Sequence, residues 1–226
     1  MGEKVKAVLY LGIDPKHFKT DKPLIHCPLL EIVARPIDSM EIKQVFGSIL
    51  DYTHIIFTSK SAVKIFFKYF RDFGYQLDQL NNKYLIAMGQ VTAYFMKEEG
   101  AVPTYIAAEE SLEGVMRVLS TLDLNQANVL FPKSSSAMPS LAHFLVEHEI
   151  HHQICTLYDV YNRKQFSLPD LNDIDEIIFP NSKTIDIFFS LFDTLPEGIK
   201  LQALGAATRE TLKDKLSEKK NLVISC

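Results

Sequence analysis

Apolar and polar positions along this chain fall in blocks whose period switches between that of a strand and that of a helix. An apolar run at 5–11 predicts a first strand, broken by Gly12-Ile13-Asp14-Pro15. The polar stretch up to Pro23 leaves room for one or two helical turns at most. Residues 24–34 read as a second extended segment, because Pro28 and Pro36 oppose helix. Helical spacing at 41–50 precedes a strand–turn–helix unit over 52–73. Then follow a strand at 83–88, a helix at 91–99 stopped by Gly100, a brief strand at 104–106 and a helix over 111–122. A strand at 128–132 leads into a polar turn at 133–136, and Pro139 suits the first turn of the next helix. Positions 153–160 alternate as an edge strand or a linker would. From Asp175 the pattern gives strand, turn and helix to 192, a strand at 200–204, a helix at 208–216 and a last strand at 222–225.

Part of this pattern occurs twice. Ile55-Ile56-Phe57-Thr58-Ser59-Lys60-Ser61 is echoed by Ile177-Ile178-Phe179-Pro180-Asn181-Ser182-Lys183, and Phe66-Phe67 by Phe188-Phe189. Ile86-Ala87-Met88-Gly89-Gln90-Val91-Thr92 is echoed by Gln202-Ala203-Leu204-Gly205-Ala206-Ala207-Thr208. Each copy reads as a strand, a polar turn and the start of an amphipathic helix, which aims backbone N–H groups beyond the strand's carboxyl end. Strands alternating with helices predict an α/β protein of two similar lobes with doubly wound, mainly parallel sheets. Five strands fall between 52 and 158, and five more come from the two chain ends together. The simplest plan inserts the second lobe in the first: 1–35 with 162–226 as lobe 1, and 38–157 as lobe 2. Two linker segments, near 32–39 and 156–164, would run side by side as a two-stranded connection. A cleft between two such lobes suits an anion.

Composition narrows the function classes. A chain of 226 residues allows one large domain or two small ones. The net charge of -4 gives no basic stripe for nucleic acid. Backbone amides and a few lysines can still bind an anion in an acidic protein. No apolar run approaches the ~20 residues of a membrane helix, and the start of the chain has no signal-peptide pattern, so a cytoplasmic protein is expected. Lys6 stands where a myristoylation motif wants Ser or Thr. Cys27, Cys155 and Cys226 are scattered and read as reduced thiols. His148, His151 and His152 lack a metal-ligand spacing, so no metal is expected. Gly89 and Gly205 each stand alone, outside any G-x-G-x-x-G or P-loop, and no G-x-S-x-G elbow occurs.

Taken in order, Pro28-Leu29-Leu30-Glu31-Ile32, the 55–63 segment, Ala87-Met88-Gly89-Gln90-Val91-Thr92, Ser111-Leu112-Glu113-Gly114, Val129-Leu130-Phe131-Pro132-Lys133, Leu157-Tyr158 and the 203–208 segment resemble the uroporphyrinogen-III synthase family. The resemblance covers nearly the whole chain. It implies two α/β lobes, no cofactor, a monomer, and hydroxymethylbilane as substrate, with transient contact to hydroxymethylbilane synthase. The implied reaction is a cyclising loss of water with inversion of ring D, in the cleft between the lobes. It also implies that Tyr158 helps the hydroxyl depart, by hydrogen bond or proton donation. Tyr161 is a near-equivalent in sequence, and a packing role for either ring is the simpler alternative.

The implied substrate contacts are Thr58, Ser59, Thr92, Lys133, Asn181, Ser182 and Thr208, with Lys60 and Lys183 in similar turns. Ser and Thr at such turns are equally ordinary helix caps. The chain departs from the family pattern at Gly12, where an arginine is common, near Met138, and at Pro180-Asn181, where Thr-Ser is usual. These departures keep open a non-enzymatic two-lobed binding protein for a small anionic ligand.

Overall fold

The computed structural model describes residues 6–16, 18–192, 194 and 197–224. The strands are β1 (Ala7–Tyr10), β2 (Leu24–His26), β3 (Leu30–Ala34), β4 (His54–Phe57), β5 (Tyr84–Ala87), β6 (Tyr105–Ile106), β7 (Val129–Ser134), β8 (His152–Asn162), β9 (Ile174–Phe179) and β10 (Lys200–Ala203). The helices are α1 (Met40–Gly47), α2 (Lys60–Asp72), α3 (Gly89–Glu98), α4 (Leu112–Leu119), α5 (Ser140–Glu147), α6 (Ser182–Leu191) and α7 (Ala206–Ile224). The protein is an α/β chain with two sheets, of order β10-β9-β1-β2 and β3-β8-β7-β4-β5-β6. It divides into one unit of Met1–Ile32 with Tyr161–Cys226 and another of Val33–Val160.

In the first unit β1 pairs in parallel with β2 and β9, and β9 with β10. Leu9, Ile177 and Phe179 face a core completed by Ile185, Phe188 and Phe189 of α6 and Leu212 of α7. The other face carries Val8, Tyr10 and Ile178, covered among the described residues by Phe18 and Leu204. No helix forms between β1 and β2 among the described residues, as the short polar stretch predicts. In the second unit, β7, β4, β5 and β6 are parallel neighbours. Phe57 packs on α2, whereas Ile56, Ile86, Val129 and Phe131 face α4 and α5. Helices therefore cover both faces of this sheet.

The two copies in the sequence fold alike down to single contacts. Met88 N–H donates to Phe57 C=O and Leu204 N–H to Phe179 C=O, each at 2.9 Å. Gly89 and Gly205 follow with φ of 82° and 85°. Phe57 meets Phe66 edge-on at 5.1 Å and stacks with Phe67 at 5.7 Å; Phe179 meets Phe188 edge-on at 5.4 Å and stacks with Phe189 at 6.2 Å. Strand order repeats too: β2-β1-β9-β10 in one sheet matches β8-β7-β4-β5 in the other. The chain enters these two matched sets at different points.

Four expectations need correction. The extended segment at 24–34 is two strands in different sheets, β2 and β3, split at Cys27-Pro28-Leu29 where proline has no N–H to give. β8 is not an edge: it lies between β3 and β7, and β3 forms the edge. Lys133 belongs to β7, which continues to Ser134, instead of to a turn. Residues 222–224 are helical, not a strand, and Ser225 lies outside the described residues. The stretch 209–221 holds neither Gly nor Pro, so nothing stops α7 once it has started.

Cys27 and Cys155 are buried free thiols. Burial pushes the Cys155 thiol up to about 12, with Glu41 adding to the rise and Arg35 opposing it. Cys155 is therefore a thiol, not a reactive thiolate, at pH 8. Peptide mapping after alkylation at that pH should find Cys155 unmodified in native protein and modified after unfolding. The matched glycines give a second test. A Cβ on Gly89 would lie 2.9 Å from Glu110 Cβ, whereas on Gly205 it would meet only Thr208 Oγ1 at 4.0 Å. Both Gly→Ala changes impose positive-φ strain of about 1–3 kcal/mol. Gly89→Ala should lower the thermal midpoint further than Gly205→Ala.

Candidate active site

β4, β7 and β8 are parallel neighbours, so their carboxyl ends bring together side chains far apart in sequence. Ser59 follows β4 as the N-cap of α2, extended at φ -159° and ψ 154°, and its Oγ accepts from Ala62 N–H at 3.1 Å. The same Oγ lies 2.9 Å from the Tyr158 hydroxyl on β8. Ser134, at the end of β7, and Ser61, in the first turn of α2, bring two more hydroxyls near that phenol. Tyr158 is only 5% exposed. Burial raises its pKa above the usual phenol value, and the Ser59, Ser134 and Ser61 hydroxyls partly offset the rise. At neutral pH the group is a protonated phenol that donates hydrogen bonds.

A shift in strand register sets this geometry. Lys133 pairs with Thr156, but Ser134 pairs with Tyr158, and Ser135 N–H then donates to Tyr158 C=O at 3.0 Å. One extra residue on β8 re-aims the side chains that follow it. Ser134 Oγ lies 3.4 Å from Ser136 Oγ, so hydroxyls continue into the loop. Thr58 is half-buried beside Ser59. Lys133 is half-buried and its ammonium donates to Ser134 C=O at 3.4 Å. Lys60 reaches over the Phe95 ring, 4.5 Å from its centroid.

The first unit repeats the cap but not the hydroxyl cluster. Asn181 caps α6, its Oδ1 accepting from Thr184 N–H at 3.1 Å. Ser182 Oγ accepts from Thr211 of α7 at 2.7 Å. Lys183 is exposed. In place of hydroxyls, the end of β1 packs Gly12 against Tyr10 and Pro180. A Cβ on Gly12 would sit 2.6 Å from the Tyr10 ring and 2.8 Å from Pro180 Cγ. The two departures at Gly12 and Pro180 are thus one coupled packing change.

Thr92 and Thr208 do not cap helices, as their strand-to-helix position had suggested. Their helices start earlier, at Gly89 and Ala206, so each threonine lies within the first helical turn, 3% and 6% exposed. The three histidines are tied up separately. His148 and His152 Nδ1 donate to Phe144 and Ile150 carbonyls, and His151 Nδ1 contacts Asn128 Oδ1. Tyr161 is exposed, unlike Tyr158.

Ser61 and Ser134 escaped the sequence reading as phenol partners. Ser61 stands in the matched segment and Ser134 in the polar run after Phe131, and the strand order β8-β7-β4 brings their hydroxyls near Tyr158. No helix among the described residues is long and apolar enough to cross a membrane.

None of the curated proteins compared matches the chain. Among solved structures it is similar to a mutant uroporphyrinogen III synthase from the extremely thermophilic bacterium Thermus thermophilus, at 17% identity and TM-score 0.61, over 92% of this chain and 88% of that one. It is also similar to the uroporphyrinogen-III synthetase of Helicobacter pylori, at 17% identity and TM-score 0.58, over 97% of this chain and 99% of that one. These likenesses concern the fold. The family model described as Uroporphyrinogen-III synthase HemD matches residues 23–220. With that match spanning most of its length, the chain belongs to the uroporphyrinogen-III synthase family.

Proposed function

We propose that this chain cyclises hydroxymethylbilane to uroporphyrinogen III, with inversion of ring D and loss of water, using Tyr158 as its hydrogen-bonding acid. The observation that carries the role of Tyr158 is its buried phenol, 2.9 Å from Ser59 Oγ and near the Ser61 and Ser134 hydroxyls, where β4, β7 and β8 run parallel, in a member of this family. Ligands of open α/β sheets bind at that end of the strands.

The chemistry follows from the donors. The C–O bond of the hydroxymethyl group breaks, its oxygen leaves as water, and the electron-poor carbon is attacked by ring D. A donor at the departing oxygen lowers that barrier. Ser59 Oγ accepts from Ala62 N–H. When it also accepts from Tyr158, its own proton is free for a ligand oxygen. The buried phenol then acts directly or through this serine, and neighbouring hydrogen bonds strengthen each other. Thr58, Ser59 and Lys133 in one unit, and Asn181 and Ser182 in the other, are the proposed contacts to substrate carboxylates. The positive ends of the α2 and α6 dipoles add to them. Thr92 and Thr208, in the first turns of α3 and α7, complete the proposed substrate contacts. Hydroxymethylbilane synthase would supply the substrate, and positioning of the flexible bilane carries most of the rate and the ring choice.

The test generates hydroxymethylbilane in situ, adds the protein, then oxidises and separates isomers I and III. A dominant isomer III is expected. Isomer I alone from folded protein would overturn the reading and leave an anion-binding role. Tyr158→Phe should lower kcat about 10- to 100-fold, modest for acid catalysis because this hydroxyl leaves readily. Ser59→Ala should remove the α2 cap as well, at a cost of about 1 kcal/mol in stability. Thermal unfolding beside the isomer assay separates its two effects.

A further inference from the structure

Four consecutive residues of β8, 156–159, are gripped from two sides, by Arg35 with its partner Glu41 and by Ser135. Arg35 N–H donates to Leu157 C=O at 2.8 Å. The Arg35 guanidinium spans both Asp159 oxygens, from Nε at 3.2 Å and from Nη2 at 3.4 Å. Its Nη1 donates to Glu41 Oε2 at 3.3 Å. The other oxygen of Glu41 accepts from Thr156 N–H at 2.8 Å. On the opposite side, Ser135 N–H holds Tyr158 C=O, and the Ser135 hydroxyl lies near the Asp159 carboxyl. Arg35 is anchored in turn, since its own C=O accepts from the Tyr69 hydroxyl.

These bonds surround the place where β8 changes register. A strand with an extra residue has no ladder to fix it locally, so other partners must set its twist. Here they bracket Tyr158 on both sides. The Ser135 hydroxyl and the Arg35 guanidinium hold the Asp159 carboxyl below its usual range, so it stays an anion for Arg35 to grip. The planar fork of arginine suits this bidentate task, and lysine offers only a point charge. The three side chains are 22% to 38% exposed. In such half-solvated pairs geometry outweighs net stability.

We propose that Arg35 is a positioning residue for Tyr158, clamping the irregular turn of β8 through Glu41 and Asp159 so that the phenol stays among its serines. This rests on the catalytic reading of Tyr158. Arg35 itself touches no reacting atom.

The experiment is a double-mutant cycle on kcat, scored with the isomer ratio and thermal unfolding. Arg35→Met should lower kcat about tenfold with KM changed less than about twofold, since a small misplacement of a catalytic group is costly. Arg35→Lys should recover part of the loss. In a Tyr158→Phe background, Arg35→Met should cost little more, because there is no phenol left to position. Losses that multiply in the double mutant, or an unchanged kcat in Arg35→Met, would overturn the proposal while leaving the role of Tyr158 intact. An unchanged kcat in Tyr158→Phe alone would refute that role, and the proposal with it. If Arg35→Met does not fold, Asp159→Asn, which keeps the shape and removes the charge, goes through the same cycle with the same expected and overturning results.

Discussion

A phenylalanine at the end of a strand, set against two adjacent phenylalanines on the next helix, fixes where each turn of this molecule points. Phe57 with Phe66 and Phe67, and Phe179 with Phe188 and Phe189, adopt the same edge-on and stacked arrangement. Five of these six rings are fully buried, and Phe189 is nearly so. Aromatic pairs in this geometry add about 0.5–1.5 kcal/mol each beyond area burial. Their effect on position matters more. A helix pinned two residues deep on its strand cannot rotate, so Ser59 and Asn181 sit where their side chains must accept from the first turn. The cap, the glycine turn beside it and the hydroxyls near both are placed by that packing.

Equal frames carry unequal contents. Around β4 the turn is lined by hydroxyls that converge on a buried phenol. Around β9 the corresponding place is filled by Pro180 against Gly12 and Tyr10. The sheet behind it lacks, among the described residues, the helix that would cover its second face, and Phe18 comes in from a loop instead. Duplication thus supplied two identical supports, and the polar chemistry gathered on one of them. In this chain the departures at positions 12 and 180 are in contact: a side chain at position 12 would meet the Pro180 ring.

Much of this was legible in the residues. The repeat was visible because strand, turn and helix each leave a local periodic mark. Ser59 and Tyr158 could be singled out from the segments that carry the family resemblance. Four things were not legible. The split of 24–34 depends on which sheet each half joins, and no local pattern encodes a partner. Thr92 and Thr208 looked like caps because a threonine at a turn is ambiguous until the helix start is known to within one residue. Ser61 and Ser134 gain their meaning from β7 lying between β4 and β8, and Arg35 from β3 lying beside β8, both long-range facts. The helical end of α7 was missed because an apolar run, 222–225, is the same signal in a strand and in a helix.

The antiparallel seam between β3 and β8 has a bearing on the order of events during synthesis. Arg35 N–H meets Leu157 C=O at one end of it, and Arg163 N–H meets Leu29 C=O at the other. Everything from 33 to 160 forms one continuous unit, whereas the remaining unit needs both ends of the chain. A nascent chain therefore completes the six-stranded sheet before β9 and β10 emerge to join β1. Closing that whole stretch as an unstructured loop would cost on the order of 4 kcal/mol in entropy. Once it has folded, the seam delivers residues 29 and 163 side by side, and the late strands add to a partner already held in place.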